Sequence, residues 1–401
     1  MKFRSIFKGD IYVWAIVFTL SIIGVLAVYS ATGTLAFAKQ SGNTEFYLLR
    51  HLGFLVVGLF LMYLIHNIPV KYYARPSQGL LWLSFILLIA TLVVGYRINN
   101  AARVIPILGF TFQPSDMAKV FLVMFMAKYL SKRQDSVHKS SVMWWLLGVI
   151  ALIIAPIIPE NLSTALVIIT TSTMIMLLGR IKFKYIISLI GVVVVLAGLF
   201  YVTLMNLDMS KHQNSRLPTW KKRIETYIGK SDDDSDYQQT QAKIAVASGG
   251  FWGKGPGNST QRNFLPHPYS DFIFAIIVEE YGMIGALLMI SAFILLIIRA
   301  LKMAIDSQRP FAALAVLGLA VSISFQAFIH MGVSVGKLPV TGLTLPLVSM
   351  GGTSIIFNSI AFGIILGISR HIQEEKLLKS TSGPGATSKE NNDLEEKSNN
   401  G

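Results

Sequence analysis

Ten stretches of this 401-residue chain are long, apolar and nearly free of charge: residues 11–31, 46–66, 79–95, 115–130, 142–158, 162–179, 185–206, 271–298, 312–333 and 347–369. A bilayer core of about 30 Å is crossed by roughly 20 apolar residues of helix, so each run is a candidate span. Backbone exposed to lipid must satisfy its own hydrogen bonds, which leaves helices or closed barrels. A barrel would show alternating segments of about ten residues, and these runs do not alternate. The expected fold is therefore an all-α polytopic membrane protein of about ten transmembrane helices. Charge agrees: 14% of residues are charged, against about 25% in soluble domains. The first run follows Met1-Lys2-Phe3-Arg4. It is longer than a signal-peptide core and is read as a retained helix.

Orientation follows from lysine and arginine in the short connections. With the N-terminus inside, the inside segments hold Lys2, Arg4, Lys8, Lys71, Arg75, Lys128, Lys132, Arg133, Lys139, Arg180, Lys182, Lys184, Arg299, Lys302 and Arg309. The short outside segments hold only Lys39, Arg50, Arg97, Arg103 and Lys337. This bias predicts both ends on the cytoplasmic side of the membrane. It also accounts for much of the net charge of +14 without nucleic acid. Residues 1–370 form the expected membrane domain, with one large extracytoplasmic loop at 207–270. Residues 371–401 are expected to be a disordered cytoplasmic tail, rich in Ser, Asn, Glu and Lys. With no cysteine, a disulfide framework and thiol catalysis are both excluded.

Ionisable residues inside a membrane are costly and are functional candidates by default. Gln113-Pro114-Ser115-Asp116-Met117-Ala118-Lys119 reads as a helix start, with Ser115 as cap. Asp116 and Lys119 share one face and can pair. The pair is either structural or lines a cavity for an anionic headgroup. Asp271, at the outer edge of the eighth run, is either a helix cap or a general base for a sugar hydroxyl. Glu279 and Glu280 point about 100° apart and read as structural, holding a cation or polar backbone. The stretch Ser248-Gly249-Gly250-Phe251-Trp252-Gly253-Lys254-Gly255 fails the phosphate-loop pattern. It reads as a tight turn network, or as a loop closing over a headgroup. Prolines and glycines in 336–352 suggest broken or re-entrant backbone. Gln326 and His330 lie in the ninth run, where a lone histidine reads as packed and hydrogen-bonded. No His, Asp and Glu set has metal-ligand spacing.

Together these motifs resemble the SEDS family, which includes FtsW and RodA, over about residues 11–370. Ala102-Arg103 followed by Gln113-Pro114-Ser115-Asp116-Met117-Ala118-Lys119 is similar to the family's "RW…QPSE..K". Asn161-Leu162-Ser163-Thr164-Ala165-Leu166 resembles "DLGTAL". Arg223-Ile224, Tyr237-Gln238 and Gly249-Gly250 with Gly253 match the large-loop pattern. Leu265-Pro266, Ser270-Asp271-Phe272-Ile273-Phe274-Ala275 and Glu279-Glu280-Tyr281-Gly282 resemble "LPE..TDFIFA..EE.G". Leu345-Pro346 and Ser349-Met350-Gly351-Gly352-Thr353-Ser354 resemble "LP..SYGGSS". Tyr237-Gln238 and Gly342-Leu343-Thr344-Leu345-Pro346 lean to the FtsW pattern, with RodA second. The chain departs from the pattern at Val104 for Trp, Asp116 for Glu, His267 for Glu and Met350 for Tyr.

The resemblance implies a peptidoglycan glycosyltransferase that polymerises lipid II outside the membrane during division. It implies Asp271 as the essential carboxylate. Arg50, Asp116 and Lys119 are implied to line a central cavity. Arg103, Ser270, Ser349, Gly351 and Gly352 join them as expected substrate-binding residues. No cofactor is expected, apart from a divalent cation such as magnesium or manganese as an option. Expected partners are lipid II, the nascent glycan strand, a monofunctional penicillin-binding transpeptidase and other division-machinery membrane proteins. Two rival readings are a lipid II flippase and a scaffold that recruits the transpeptidase.

Overall fold

The structure is a computed structural model that describes residues 8–33, 35, 44–94, 96–98, 101–107, 110–137, 139–159, 161–206, 217–218, 220–221 and 234–381. Every apolar run is met by a helix. In chain order they are α1 (Ile11–Ala31), α2 (Thr44–His66), α3 (Ser77–Val94), α4 (Pro114–Ser131), α5 (Ser140–Ile154), α6 (Leu162–Leu178) and α7 (Phe183–Asn206). After the helix α8 (Asp234–Gly249) come α9 (Ile273–Asp306), α10 (Pro310–Ser334) and α11 (Thr353–Thr381). The helices α1, α2, α9, α10 and most of α11 are long and apolar enough to cross a membrane. Those of α3, α5 and α6 are shorter but equally apolar in character. The molecule is an all-α polytopic membrane protein.

The helices pack through small residues. In lipid there is no hydrophobic force between helices, so close contact depends on residues that let backbones approach. Gly58 and Gly363 do this where α2 meets α11. A Cβ on Gly363 would sit 2.9 Å from the Met62 carbonyl oxygen, and one on Gly58 would meet the Ser359 side chain. The ends of α1 and α9 are tied by charge. Asp10 caps α1 through the amides of Tyr12 and Val13 at 2.9 and 3.3 Å. The same buried carboxylate accepts from Arg299 Nε at 2.8 Å.

Four features differ from the sequence expectations. Between α3 and α4 lies a small antiparallel sheet of β1 (Tyr96–Ile98), β2 (Ala101–Ile107) and β3 (Phe110–Phe112), with β2 in the middle. These strands of three to seven residues carry too little alternation to stand out beside the apolar runs. The outer loop carries a helix, α8, packed against α9. The run at 271–298 is two helices: Gly282 has φ 65° and ψ −159°, which breaks α9 after Tyr281. The last helix starts at Thr353, not 347, and continues through 371–381, which were expected to be tail. Residues 382–401 lie outside the described residues, as do Arg223-Ile224 of the large-loop pattern.

The break in α9 has a partner. Lys254 and Gly255 donate their amides to the carbonyls of Glu279 and Glu280, each at 2.9 Å, and Met283 donates to Gly250 at 3.0 Å. The glycine stretch thus docks edge-on against the broken helix, as the turn-network reading expects. A Cβ on Gly253 would stand 2.2 Å from the Glu280 carbonyl oxygen, and one on Gly282 2.3 Å from that of Phe251. The adjacent acids complete the joint. Glu279 is fully buried and accepts from Lys254 Nζ at 2.5 Å, Thr260 N at 3.1 Å and the Ser259 hydroxyl. Glu280 accepts from the Ser30 hydroxyl of α1 and from Ser259 N at 3.4 Å. Both acids are structural, as their spacing suggests.

Candidate active site

Asp271 ends the turn that leads into α9. It does not cap the helix: the cap position is Phe272, with no side-chain capping bond. Among the described residues the Asp271 carboxylate accepts one hydrogen bond, from the Ser270 hydroxyl to Oδ1 at 2.6 Å. Its Oδ2 accepts none from the described residues. The side chain is partly exposed, so a carboxylate is presented and not buried.

The turn is fixed from behind by 343–352, the segment expected to have broken backbone. That segment is non-helical, and Leu347 has φ 62°. The Ser349 hydroxyl donates to the Ser270 carbonyl at 2.8 Å and accepts from Leu345 N at 2.8 Å. Met350 N donates to the Tyr269 carbonyl at 3.0 Å. Ser349 is buried and therefore positions Asp271 rather than facing a substrate. Behind the segment, His330 Nδ1 donates to the Leu343 carbonyl at 2.7 Å.

A cavity of about 810 Å³ opens beside this turn. Its walls are Tyr47, Arg50, His51 and Phe54 of α2, Thr111 and Gln113 from the sheet and its exit, Tyr269, and Thr344 with Met350, Gly351 and Gly352. The volume falls in the range of ligand sites, about 300–1,000 Å³. Of the candidate residues, Arg50, Gly351 and Gly352 line this cavity, and Asp271 stands two residues from the wall residue Tyr269. Burial, and next the Asp271 carboxylate, push the Tyr269 phenol above its usual pKa. Tyr269 therefore stays a neutral hydroxyl donor. His267, where the family has Glu, meets the Tyr269 ring edge-on and lies 3.3 Å from its hydroxyl.

Asp116 and Lys119 come together at 2.8 Å, buried and not among the residues that line this cavity; with Gln326, Ser354 and Asn358 they line a separate pocket of about 10 Å³. Lys119 Nζ donates to Gln326 Oε1 at 2.6 Å, and Gln326 Nε2 donates to the Thr344 carbonyl at 2.7 Å. Thr344 in turn meets Ser354 at 2.9 Å. One hydrogen-bonded chain thus runs from the ion pair to the wall. Ser115 is not the cap of α4; Gln113 holds that position and donates to the Ser115 hydroxyl at 3.0 Å. Arg103 is on β2, and its side chain lies outside the described residues. Among the described residues, no three His, Asp or Glu side chains converge to hold a metal ion.

Sequence reasoning missed Tyr47, His51 and Phe54. Their spacing with Arg50 was the available signal, since 47, 50, 51 and 54 fall on one helical face. His51 is fully buried, and neither of its ring nitrogens has a hydrogen-bond partner among the described residues.

Residues 10–374 match the cell cycle protein family of FtsW, RodA and SpoVE. A protein of Polynucleobacter necessarius is 34% identical over 375 residues, covering 91% of this chain and 86% of that one. One from Nitrosomonas europaea is 32% identical over 372 residues, covering 90% and 92%. Both bear the name probable peptidoglycan glycosyltransferase FtsW. Among solved structures, a chain of a peptidoglycan synthase complex superposes with TM-score 0.68 at 24% identity, covering 91% of this chain and 98% of its own. RodA of Thermus thermophilus superposes with TM-score 0.64 at 22% identity, covering 90% and 97%.

Proposed function

This chain belongs to the FtsW, RodA and SpoVE family of cell cycle proteins, and on that footing we propose that it is a peptidoglycan glycosyltransferase that polymerises lipid II during cell division. The observation that carries the reading is Asp271: a partly exposed carboxylate in the turn that supplies Tyr269 to the wall of a ligand-sized cavity, and free of the capping duty its position would otherwise explain.

The donor is the growing glycan on a polyprenyl pyrophosphate, and the acceptor is lipid II. The acceptor sugar hydroxyl attacks the anomeric carbon of the donor. Asp271 Oδ2 takes its proton, while the Ser270 hydroxyl holds Oδ1. The anomeric C–O bond breaks and the electron pair leaves on the pyrophosphate. Arg50 is the cation suited to that charge, because it lines the cavity and its guanidinium can grip phosphate oxygens in pairs. Lys119 acts at second hand, by fixing Gln326 and Thr344. A single displacement inverts the sugar and needs no glycosyl-enzyme intermediate. A transpeptidase partner is in keeping with the synthase complex whose chain shares this fold.

The test supplies lipid II to the purified protein and its cognate transpeptidase, with the transpeptidase active site blocked. Glycan strands are expected. Transport of lipid II across vesicle membranes with no strands formed would replace this reading with the flippase.

A further inference from the structure

We propose that a second cavity, at the opposite end of α4 from the catalytic turn, binds the phosphate headgroup of an anionic membrane lipid. The helix begins at Pro114 beside the catalytic segment, where Gln113 N donates to Thr353. At 1.5 Å per residue, Lys132 lies about 27 Å further along the axis. The lysine and arginine bias makes that end cytoplasmic.

The cavity measures about 410 Å³ and opens between the ends of α3, α4 and α5. Two rows of side chains line it, from the end of α4 and from the turn that follows at Lys132 and Arg133. In the first, Phe125 stacks on Tyr129 with centroids 6.0 Å apart, and the Arg133 guanidinium lies 4.0 Å over the Tyr129 ring. In the second, one residue behind, are Lys128 and Lys132. Within α4 the four-residue step keeps Phe125 and Tyr129 on one side of the helix, and the contact of Arg133 with the Tyr129 ring holds the following turn on that same side. Trp145 of α5 supplies a further apolar wall. Among the described residues no carboxylate lines the cavity, and its three cations form no ion pair with a described acid.

A plainer reading is available for cations here. They complement the partial negative charge of a helix end, about half a charge, and they mark the cytoplasmic side. Freely solvated lysines would serve both purposes. Neither purpose needs a half-buried Lys128, an arginine held over a tyrosine ring, or aromatic walls around the cations. A phospholipid uses all three. Its phosphate takes the arginine fork and the ammonium groups, and its glycerol and upper acyl chains lie against Phe125 and Trp145. Basic pockets between helices at the cytoplasmic surface have this chemistry. Inorganic phosphate would satisfy the cations but leave the aromatic walls unused.

The test compares phosphatidylglycerol, phosphatidylcholine and sodium phosphate, each added to the delipidated protein in neutral detergent. Retained lipid is read by native mass spectrometry. Phosphatidylglycerol should be retained about tenfold more than phosphatidylcholine, equivalent to about 1.4 kcal/mol. Combined Lys128→Gln, Lys132→Gln and Arg133→Gln should bring it down to the phosphatidylcholine level, with the melting temperature in detergent unchanged. Arg133→Lys should give an intermediate loss, because the charge stays but the planar fork goes. Equal retention of the two lipids would overturn the proposal. So would undiminished phosphatidylglycerol on the triple variant, or its displacement by equimolar sodium phosphate, which would mark a small-anion site. If the triple variant does not fold, the three wild-type arms decide alone.

Discussion

Two of the three cations singled out in the sequence, Arg50 and Lys119, do different work. Arg50 faces the open cavity, whereas Lys119 is buried against Asp116 and Gln326. Arg50→Gln should therefore lower polymerisation about 10- to 100-fold and leave thermal unfolding unchanged, since only leaving-group stabilisation is lost. Lys119→Met should instead destabilise the fold by about 3–5 kcal/mol, because it strands a buried carboxylate. Adding Asp116→Leu should recover most of that stability. Comparing the three variants by melting temperature and by strand synthesis checks the division of labour. Sequence spacing was enough to find the Asp116 and Lys119 pair, because residues three apart on a helix must meet. It could not reveal which side of the wall the pair faces, since that depends on how α4 is rotated against α10 and α11. The same limit hid His51, whose neighbours in the cavity come from distant parts of the chain.

Where helices touch or break, glycine sets the outcome. Gly363→Ala should cost about 1–3 kcal/mol, because the new methyl presses on the Met62 carbonyl at the contact between α2 and α11. Gly53→Ala, on α2 with open space around the position, is the control and should be neutral or slightly stabilising. Unfolding of the two variants in one detergent reads the difference. Gly282→Ala combines a left-handed φ with a Cβ 2.3 Å from the Phe251 carbonyl. It should undock the glycine loop, so limited proteolysis should cut faster between Phe251 and Asn258. Element identity was legible from apolar length, and nearly every helix end falls within a few residues of its run. The break in α9 was not legible, because Ile273 to Ile298 is apolar on both sides of Gly282 and the run looks continuous. Only the loop packed against Glu279 and Glu280 explains why the helix stops there. The helix α8 was missed for a related reason: its sequence is mostly polar, and the apolar face it packs on α9 is short, with Ala242, Ala245 and Val246.

At the scale of the whole molecule, the bilayer sets which end of each helix meets which solvent. The absence of cysteine makes this easy to test, since an introduced thiol is the only one present. Asn258→Cys should react with a membrane-impermeant maleimide in intact spheroplasts, and Ser307→Cys only after permeabilisation. The reverse pattern would invert the assigned orientation. With that orientation, the catalytic turn, the cavity of α2 and the sheet all open toward the cell wall, where the polymer is needed. The claim on which the account turns is that Asp271 is the group that enables transfer. Its most direct test is strand synthesis from lipid II by the protein with its transpeptidase partner, comparing wild type with Asp271→Asn at matched folding. The account predicts strands from wild type and a loss of at least about 100-fold in the variant, the usual scale for removing a general base. Equal synthesis by the two proteins would contradict it and take Asp271 out of the mechanism.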